Sequence, residues 1–165
     1  MPEYDFSGKV AFVTGAAHGQ GRSHAINYAK HGADVVVTDI CENIGTNPYD
    51  LGTSEELDET ASMIADEGQD AVTIQMDVRD EAQVQAAVEE ALEEFGRIDI
   101  LANNAGIFNA TELTEMDEQM WDDMIDTNLK GVWLCSKHVG KHFIERGSET
   151  IENAVEKFDE IADAV

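Results

Sequence analysis

Three glycines stand in a short loop whose spacing is typical of a phosphate-binding turn. An apolar run at residues 10–13 leads into Gly15, Gly19 and Gly21, and a helical pattern begins inside that loop. Gly15 allows a tight turn, while Gly19 and Gly21 keep Cβ atoms away from a ligand and from the neighbouring strand. The N–H groups and positive dipole at the helix start then form a pyrophosphate site. The loop residues expected there are Gly15, Ala17, His18, Gly19, Gln20 and Gly21.

An acidic residue closes the next apolar run. Residues 33–38 follow the expected helix end at Gly32, and Asp39 and Ile40 come directly after them. An acid at the end of the second strand accepts hydrogen bonds from the hydroxyls of an adenosine ribose. Its charge repels a 2′-phosphate, so NAD is favoured over NADP. A glycine cluster alone is typical of ordinary turns, but the strand, loop, helix and closing acid together predict dinucleotide binding.

Polar or small residues also follow two later apolar runs. The third predicted strand covers residues 71–78, and the fourth covers residues 98–102. Because the carboxyl ends of parallel strands meet at one edge of a sheet, residues at these ends are expected beside the glycine loop. They are Asp77, Val78, Asn104, Ala105 and Gly106.

Strand and helix patterns alternate along the first hundred residues. This alternation predicts a doubly wound α/β fold of the Rossmann type, with about four parallel strands in the order 3-2-1-4. Thr53 or Ser54 is expected to cap the second helix, which ends near Gly68. The later helices are predicted at residues 79–95, 116–127, 128–146 and 148–165.

The connection between the second strand and the second helix is unusually long. It runs from residue 40 to residue 52 and contains Asn47, Pro48 and Tyr49. Long ordered loops often line a ligand site, and simple surface decoration is the equal alternative.

The chain is strongly acidic, with 35 acidic against 10 basic residues and a formal net charge of −25. Such a polyanion repels nucleic acid and anionic membranes, so neither is an expected partner. The acids are spread over every predicted helix instead of forming one acidic tail. Together with the few lysines, this pattern indicates a halophilic protein from a salt-rich cytoplasm, where salt screens the self-repulsion.

The cysteines and histidines offer no strong metal pattern, and no metal site is expected. Cys41 and Cys135 are far apart in sequence and are expected to be reduced thiols of a cytoplasmic protein. His138 and His142 lie four apart, but with no third ligand a solvated helix face is favoured over a metal site. Residues 1–7 do not form a signal peptide, and no apolar run approaches membrane-spanning length.

The last part of the sequence predicts helices with apolar stripes. The expected inner face of residues 128–146 consists of Leu129, Val132, Trp133, Ser136, Val139, Gly140 and Phe143. Residues 148–165 form an acidic amphipathic pattern, with a narrow apolar stripe at Ile151, Val155, Phe158, Ala162 and Val165. That tail either covers the open edge of the fourth strand, pairs with another chain as part of a homo-oligomer interface within residues 129–165, or is a foreign tail. The division is therefore a dinucleotide-binding domain at residues 1–147 and a tail at residues 148–165.

These motifs resemble the short-chain dehydrogenase/reductase family over residues 6–147. The glycine loop resembles the family's cofactor loop, residues 103–106 its fourth-strand motif, and residues 128–131 the segment with its catalytic asparagine, here Asn128. The chain is also similar to the carveol-dehydrogenase-like, mycofactocin-associated branch. The segments that carry this second similarity are residues 19–25, 39–41 and 121–126 and the insertion around Pro48 and Tyr49.

The resemblance implies NAD-dependent interconversion of secondary alcohols and ketones. It implies that Asp77 and Val78 hold the adenine, and that residues 104–106 pack along the adenosine ribose and the nicotinamide side. Asn128 would position the proton-relay lysine through water.

One family feature is absent from the 165 residues. The family's Tyr-x-x-x-Lys pair moves the alcohol proton, yet Tyr4, Tyr28 and Tyr49 are the chain's tyrosines and none precedes a lysine by four residues. The catalytic serine and the later strands are absent too. We therefore expect NAD binding with the family chemistry, but not unaided catalysis. The alternatives are a non-catalytic NAD-binding or oligomerisation module, which binds without turnover, and a truncated remnant, which binds nothing well.

Overall fold

The chain forms an alternating series of strands and helices. The computed structural model describes residues 4–163, with side chains described for residues 4–147. The strands are β1 (Val10–Thr14), β2 (Asp34–Asp39), β3 (Ala71–Gln75) and β4 (Ile100–Ala102). The helices are α1 (Gly19–Lys30), α2 (Ser54–Asp66), α3 (Glu81–Phe95), α4 (Glu118–Ile125) and α5 (Gly131–Asp163), with a π-helical segment at Asp126–Lys130.

The strands form a parallel sheet in the order β3-β2-β1-β4, as the alternation predicted. Val10 pairs with Asp34 at one end of β1 and Thr14 with Thr38 at the other, so β1 and β2 end level. The Rossmann-type fold is therefore confirmed. Its consequence for function is that the segments after the four strands meet at one edge of the sheet.

The sheet separates two apolar cores because each strand turns alternate side chains to opposite faces. Phe12 and Val36 belong to the core beneath α3 and α5, whereas Val13 and Val37 belong to the core beneath α1 and α2. All four side chains are fully buried. The two cores fix the strand ends from both faces.

Helix caps explain where the second and third helices begin. Thr53 caps α2 in a reciprocal capping box with Glu56, as its position predicted. The sequence predicted the third helix from residue 79, but it begins after Asp80, whose carboxylate accepts the N–H groups of Ala82 and Gln83. The segment between the end of β3 and Asp80 is therefore a loop at the edge of the sheet.

The final helices differ from the sequence prediction in two respects. Separate helices were predicted on either side of Gly147, but α5 runs through it. A glycine commonly ends a helix by taking a positive φ, and Gly147 is not among the described glycines that do so. The predicted apolar stripe of residues 151–165 lies outside the described side chains.

The predicted inner face of residues 128–146 is wrong in its first half. Leu129 and Trp133 are 65% and 56% exposed, while Leu134, Cys135 and Val139 are buried against the sheet. Both stripes are apolar, so periodicity alone does not decide which one faces the core.

None of the helices in the described part of the chain combines the length and apolar character needed to cross a membrane.

Candidate nucleotide-binding cleft

A cleft of about 330 Å³ lies at the carboxyl ends of the four strands. Its volume is at the lower end of the range of ligand sites. The residues that the sequence assigned to a cofactor all line it, except Ala17 and Gly21. Ala17 and Gly21 contact residues that line the cleft without lining it themselves.

The glycine loop is held in a tight turn against the end of β4. Gly15 has φ +66°, and a Cβ there would lie 2.9 Å from the Cα of Ala105. At Gly21 a Cβ would overlap the Gly15 carbonyl and the Asn104 side chain. Gly19 has φ +59°, and a Cβ there would meet no atom of the described residues within 4 Å. Gly15 and Gly21 thus allow close packing within the protein, and the clearance of a ligand by Gly19 stays a prediction.

Arg22 fixes the loop from the side away from the cleft. Its Nη2 donates to the Ala17 carbonyl at 2.6 Å and to the Glu56 carbonyl at 2.8 Å, and its Nη1 pairs with Glu59 at 2.8 Å. Thr60 donates its hydroxyl to the Ala16 carbonyl at 2.9 Å. Helix α2 therefore holds the glycine loop, a long-range contact that sequence spacing does not reveal.

Asp39 lies at the end of β2 with its side chain held by backbone donors. The residue is 7% exposed, and its Oδ2 accepts the Ala17 N–H at 3.1 Å. Its Oδ1 accepts the Cys41 N–H at 3.3 Å, and Gly52 packs against the carboxylate. The carboxylate is thus fixed beside the first turn of the glycine loop, where the sequence placed a ribose.

Asn104 connects the glycine loop to β4. Its Nδ2 donates to the Thr14 carbonyl at 2.9 Å and to the Gly15 carbonyl at 3.1 Å. The Thr14 hydroxyl in turn accepts the N–H groups of Asn104 and Ala105, each at 3.0 Å. The Asn104 amide is therefore used within the protein, and its backbone together with Ala105 and Gly106 forms the cleft wall.

An ion-pair network lies behind the end of β3. Arg79 donates to both carboxylate oxygens of Asp77 and, through Nη1, to Asp123 at 2.9 Å. The hydrogen bond to Asp77, with the charges of Asp77, Asp123 and Asp126, outweighs partial burial and raises the pKa of Arg79. Asp123 also accepts the Thr46 hydroxyl at 2.7 Å. The network ties the loop after β2 to helix α4.

The long loop after β2 lines the cleft, and its role in a ligand site stays a prediction. The Tyr49 hydroxyl accepts the Phe108 N–H at 2.9 Å, and Asn109 donates to the Thr46 carbonyl at 2.8 Å. These bonds hold the loop across the cleft. The loop residues in the lining are Ile44, Tyr49, Leu51 and Gly52.

Three further lining residues were not assigned from the sequence. They are Met76, Ile107 and Thr127. Met76 and Ile107 directly adjoin assigned positions, so a slightly wider window around each strand end would have included them. Thr127 comes from a distant helical segment, and no local signal points to it.

Asn128 supports the cleft without lining it. Its Oδ1 accepts the Ile107 N–H and its Nδ2 donates to the Ile107 carbonyl, each at 2.9 Å. A Cβ at Gly106 would lie 3.1 Å from the same Oδ1. Both polar ends of Asn128 are thus used to hold the β4 segment, and its place in a proton relay stays a prediction.

The thiols of Cys41 and Cys135 both have raised pKa values. Both cysteines are free. Burial, followed by the charge of Asp39, raises the pKa of the Cys41 thiol. Burial raises the pKa of Cys135 to about 11. Both thiols therefore stay protonated at neutral pH and do not act as nucleophiles there.

His138 and His142 make separate protein contacts. His138 Nε2 lies 3.2 Å from Glu81 Oε1, and His142 Nε2 accepts the Ile98 N–H at 3.3 Å. The predicted solvated face is wrong for His138, whose side chain is 16% exposed. Within the described residues, no three potential metal ligands come together.

The sequence matches the family model described as short chain dehydrogenase over residues 9–154. It is 43% identical over 147 residues to a (−)-trans-carveol dehydrogenase of Rhodococcus erythropolis, covering 87% of this chain and 53% of that protein. It is 40% identical over 142 residues to an uncharacterized NAD-dependent oxidoreductase of Mycobacterium tuberculosis, covering 86% of this chain and 52% of that protein. The chain thus spans about half the length of the curated relatives it matches.

Solved structures show the same similarity. Carveol dehydrogenase from Mycobacterium avium in complex with NAD superposes with a TM-score of 0.82 at 44% identity, over 86% of this chain and 51% of that chain. A short chain dehydrogenase from Mycobacterium paratuberculosis bound to NAD gives a TM-score of 0.84 at 32% identity, over 87% of this chain and 53% of that chain.

Proposed function

This chain belongs to the short-chain dehydrogenase/reductase family, and from that premise we propose that its cleft binds NAD. The glycine loop receives the pyrophosphate at the N-terminus of α1. Asp39 accepts the ribose hydroxyls, and its charge disfavours a 2′-phosphate. Two similar structures hold NAD, which supports the same cofactor here.

The remaining cleft residues are assigned to the two sides of the dinucleotide. Ile40 and the pair Asp77 and Val78 hold the adenine, next to the apolar residues of the long loop. Residues 104–106 pack along the adenosine ribose and the nicotinamide side. NAD supplies a hydride acceptor when it is bound, and the protein residues fix its position and exclude water.

The chemistry we propose is hydride transfer between NAD(H) and a secondary alcohol or ketone. Similarity to a carveol dehydrogenase supports this substrate class and the corresponding branch of the family. Within the 165 residues there is no Tyr-x-x-x-Lys pair to move the alcohol proton. We therefore expect binding without turnover from these residues alone.

We also propose a homo-oligomer formed through helices in residues 129–165. The support within that range is the exposed apolar side chains of Leu129, Val132 and Trp133. Trp121 and Ile125 are also exposed on the preceding helix, α4. An apolar surface of this kind is typical of a protein–protein interface. In this proposal residues 1–147 form the dinucleotide-binding domain and residues 148–165 an acidic helical tail.

The cellular setting is a further part of the proposal. The net charge of −25 favours a salt-rich cytoplasm and disfavours nucleic acid and anionic membranes as partners.

The observation that carries the proposed function is the fixed Asp39 carboxylate beside the glycine turn. The test combines an NADH titration followed by cofactor fluorescence with hydride-transfer assays on secondary alcohols and ketones, all in molar salt. We expect saturable NADH binding and no turnover. Absence of binding by the folded protein would reject the proposal, and turnover would show that another residue supplies the proton.

A further inference from the structure

A buried hydroxyl in the cleft wall has no hydrogen-bond partner among the residues whose side chains are described. Thr127 lies in the π-helical segment and is 5% exposed. It lines the cleft, and its Oγ1 makes no hydrogen bond within the described part of the chain. A buried hydroxyl without a hydrogen bond is unfavourable, and because Thr127 lines the cleft, a bound ligand is one source of the missing partner.

The other buried threonines behave differently. Thr14 Oγ1 donates to the Ala102 carbonyl at 3.4 Å, Thr38 Oγ1 to the Val13 carbonyl at 3.4 Å, and Thr60 Oγ1 to the Ala16 carbonyl at 2.9 Å. Each hydroxyl is satisfied by the backbone around it. Thr127 is therefore the exception among the buried threonines of the described residues.

The neighbours of Thr127 place it on the adenosine side of the cleft. The next residue, Asn128, holds the backbone of Ile107 through two hydrogen bonds. A Cβ at Gly131 would lie 2.6 Å from Val78 Cγ2, so the start of α5 packs directly on Val78. Thr127 thus lies between the segment that follows β3 and the segment that follows β4, among apolar lining residues that suit a flat heteroaromatic base.

We propose that Thr127 Oγ1 hydrogen-bonds the adenosine portion of the bound dinucleotide. This inference rests on the proposed NAD binding and adds a contact from outside the strand ends. It makes Thr127 a binding residue for purine nucleotides, and the nicotinamide half of the cofactor does not reach it.

Thr127→Val tests the proposal because it replaces the hydroxyl by a methyl group of similar volume. We expect the affinity for ADP-ribose and NADH, measured by calorimetry, to fall about three- to tenfold. AMP should lose affinity by a similar factor, and nicotinamide mononucleotide should not. The melting temperature of the unliganded protein should stay equal or rise, since an unpaired buried hydroxyl is removed.

Thr38→Val is the matched control, because this hydroxyl bonds the Val13 carbonyl and Thr38 does not line the cleft. It should lower the melting temperature and leave the ADP-ribose affinity unchanged. Thr127→Ser, which keeps the hydroxyl, should retain most of the affinity.

Two results would overturn the inference while leaving NAD binding intact. One is a Thr127→Val protein that binds ADP-ribose as tightly as the wild type. The other is a melting temperature that falls without ligand, because the hydroxyl would then have had a partner already. If the folded wild type bound neither ADP-ribose nor NADH, the proposed function itself would fail, and this contact with it.

Discussion

Asp39 is the residue on which cofactor choice depends. Its two oxygens are held by the N–H groups of Ala17 and Cys41, so its charge has a fixed position beside the glycine loop. Asp39→Ala should weaken NADH binding about tenfold and relax the discrimination against NADPH, because the ribose acceptor and the repelling charge are both lost. Affinities for the two cofactors, measured by calorimetry, test this.

Asp34→Asn is the matched control for that variant. Asp34 lies at the opposite end of β2 and accepts the Asp70 N–H at 2.9 Å. Asp34→Asn removes one negative charge from the same strand, but at the end opposite to Asp39. The ratio of NADH to NADPH affinity should therefore not change. If Asp39→Ala bound NADH and NADPH as tightly as the wild type binds each of them, the placement of the ribose would be refuted.

Gly21 is the glycine whose replacement should damage the fold most directly. A Cβ there overlaps the Gly15 carbonyl, which is backbone and has no rotamer with which to avoid it. Gly21→Ala should therefore lower the free energy of unfolding by about 1–3 kcal/mol, measured by urea titration. Gly140→Ala, within α5 and with no atom near its Cα, should instead stabilise by about 0.5–1 kcal/mol. A neutral Gly21→Ala would contradict this loop geometry.

The sequence predicted residues at strand ends well and those that act across the fold poorly. Gly15, Asp39 and Asn104 follow recognisable apolar runs, so topology alone brings them together. Arg22 and Thr127 act through helices whose position depends on packing, and nothing in the adjacent sequence marks their contacts. Gly15 takes a positive φ in the predicted turn, whereas Gly21 lies within α1 and allows the Gly15 carbonyl to approach closely.

At the scale of elements, Asp99 joins α5 to the sheet. Its side chain is 6% exposed and pairs with Arg97 at 2.6 Å and with Arg146 of α5 at 3.0 Å. It also accepts the Val10 N–H at 3.0 Å. Burial alone would raise the pKa of Asp99, but the hydrogen bonds from Arg97 and Val10 and the two arginine charges outweigh it, so this pKa is lowered.

Asp99→Asn should lower the free energy of unfolding by about 1.5–3 kcal/mol at neutral pH. A carboxyl with a lowered pKa in the folded state stabilises it above the unfolded pKa of about 4, and this contribution is lost as the pH falls through the folded pKa. The difference between wild type and variant should therefore shrink below about pH 4. Urea titrations at several pH values check this, and a difference that stays constant into acid would contradict it.

Strands were predicted more accurately than the orientation of the last helices. The alternation of apolar runs with helical patterns predicted the parallel sheet, and the glycine loop with its closing acid indicated the Rossmann type, whose strand order is 3-2-1-4. The stripes around Leu129 and around Leu134 are both apolar, and only tertiary packing decides which of them faces the core. Gly147 was predicted to separate two helices, yet a glycine ends a helix only if the chain beyond it takes another direction.

For the whole molecule, the net charge of −25 predicts a stability that depends on salt concentration. The Debye length falls from about 8 Å at physiological salt to about 3 Å at 1 M, so salt weakens the repulsion between the dispersed acids. Raising potassium chloride from 0.1 M to 2 M should raise the melting temperature by about 4 °C or more. This shift corresponds to an increase of ~1–2 kcal/mol in the free energy of unfolding. Chloride is used because sulfate also strengthens apolar burial. A melting temperature indifferent to salt would contradict the salt-rich setting.

The central claim, that the cleft at the strand ends holds NAD, is tested most directly by calorimetric titration of the purified protein with NADH and with NADPH in molar salt. Circular dichroism in the same buffer shows that the protein is folded. We expect one NADH per chain and an NADPH affinity weaker by about tenfold, because Asp39 repels the 2′-phosphate. A folded protein that binds neither cofactor, or binds both equally, would contradict it.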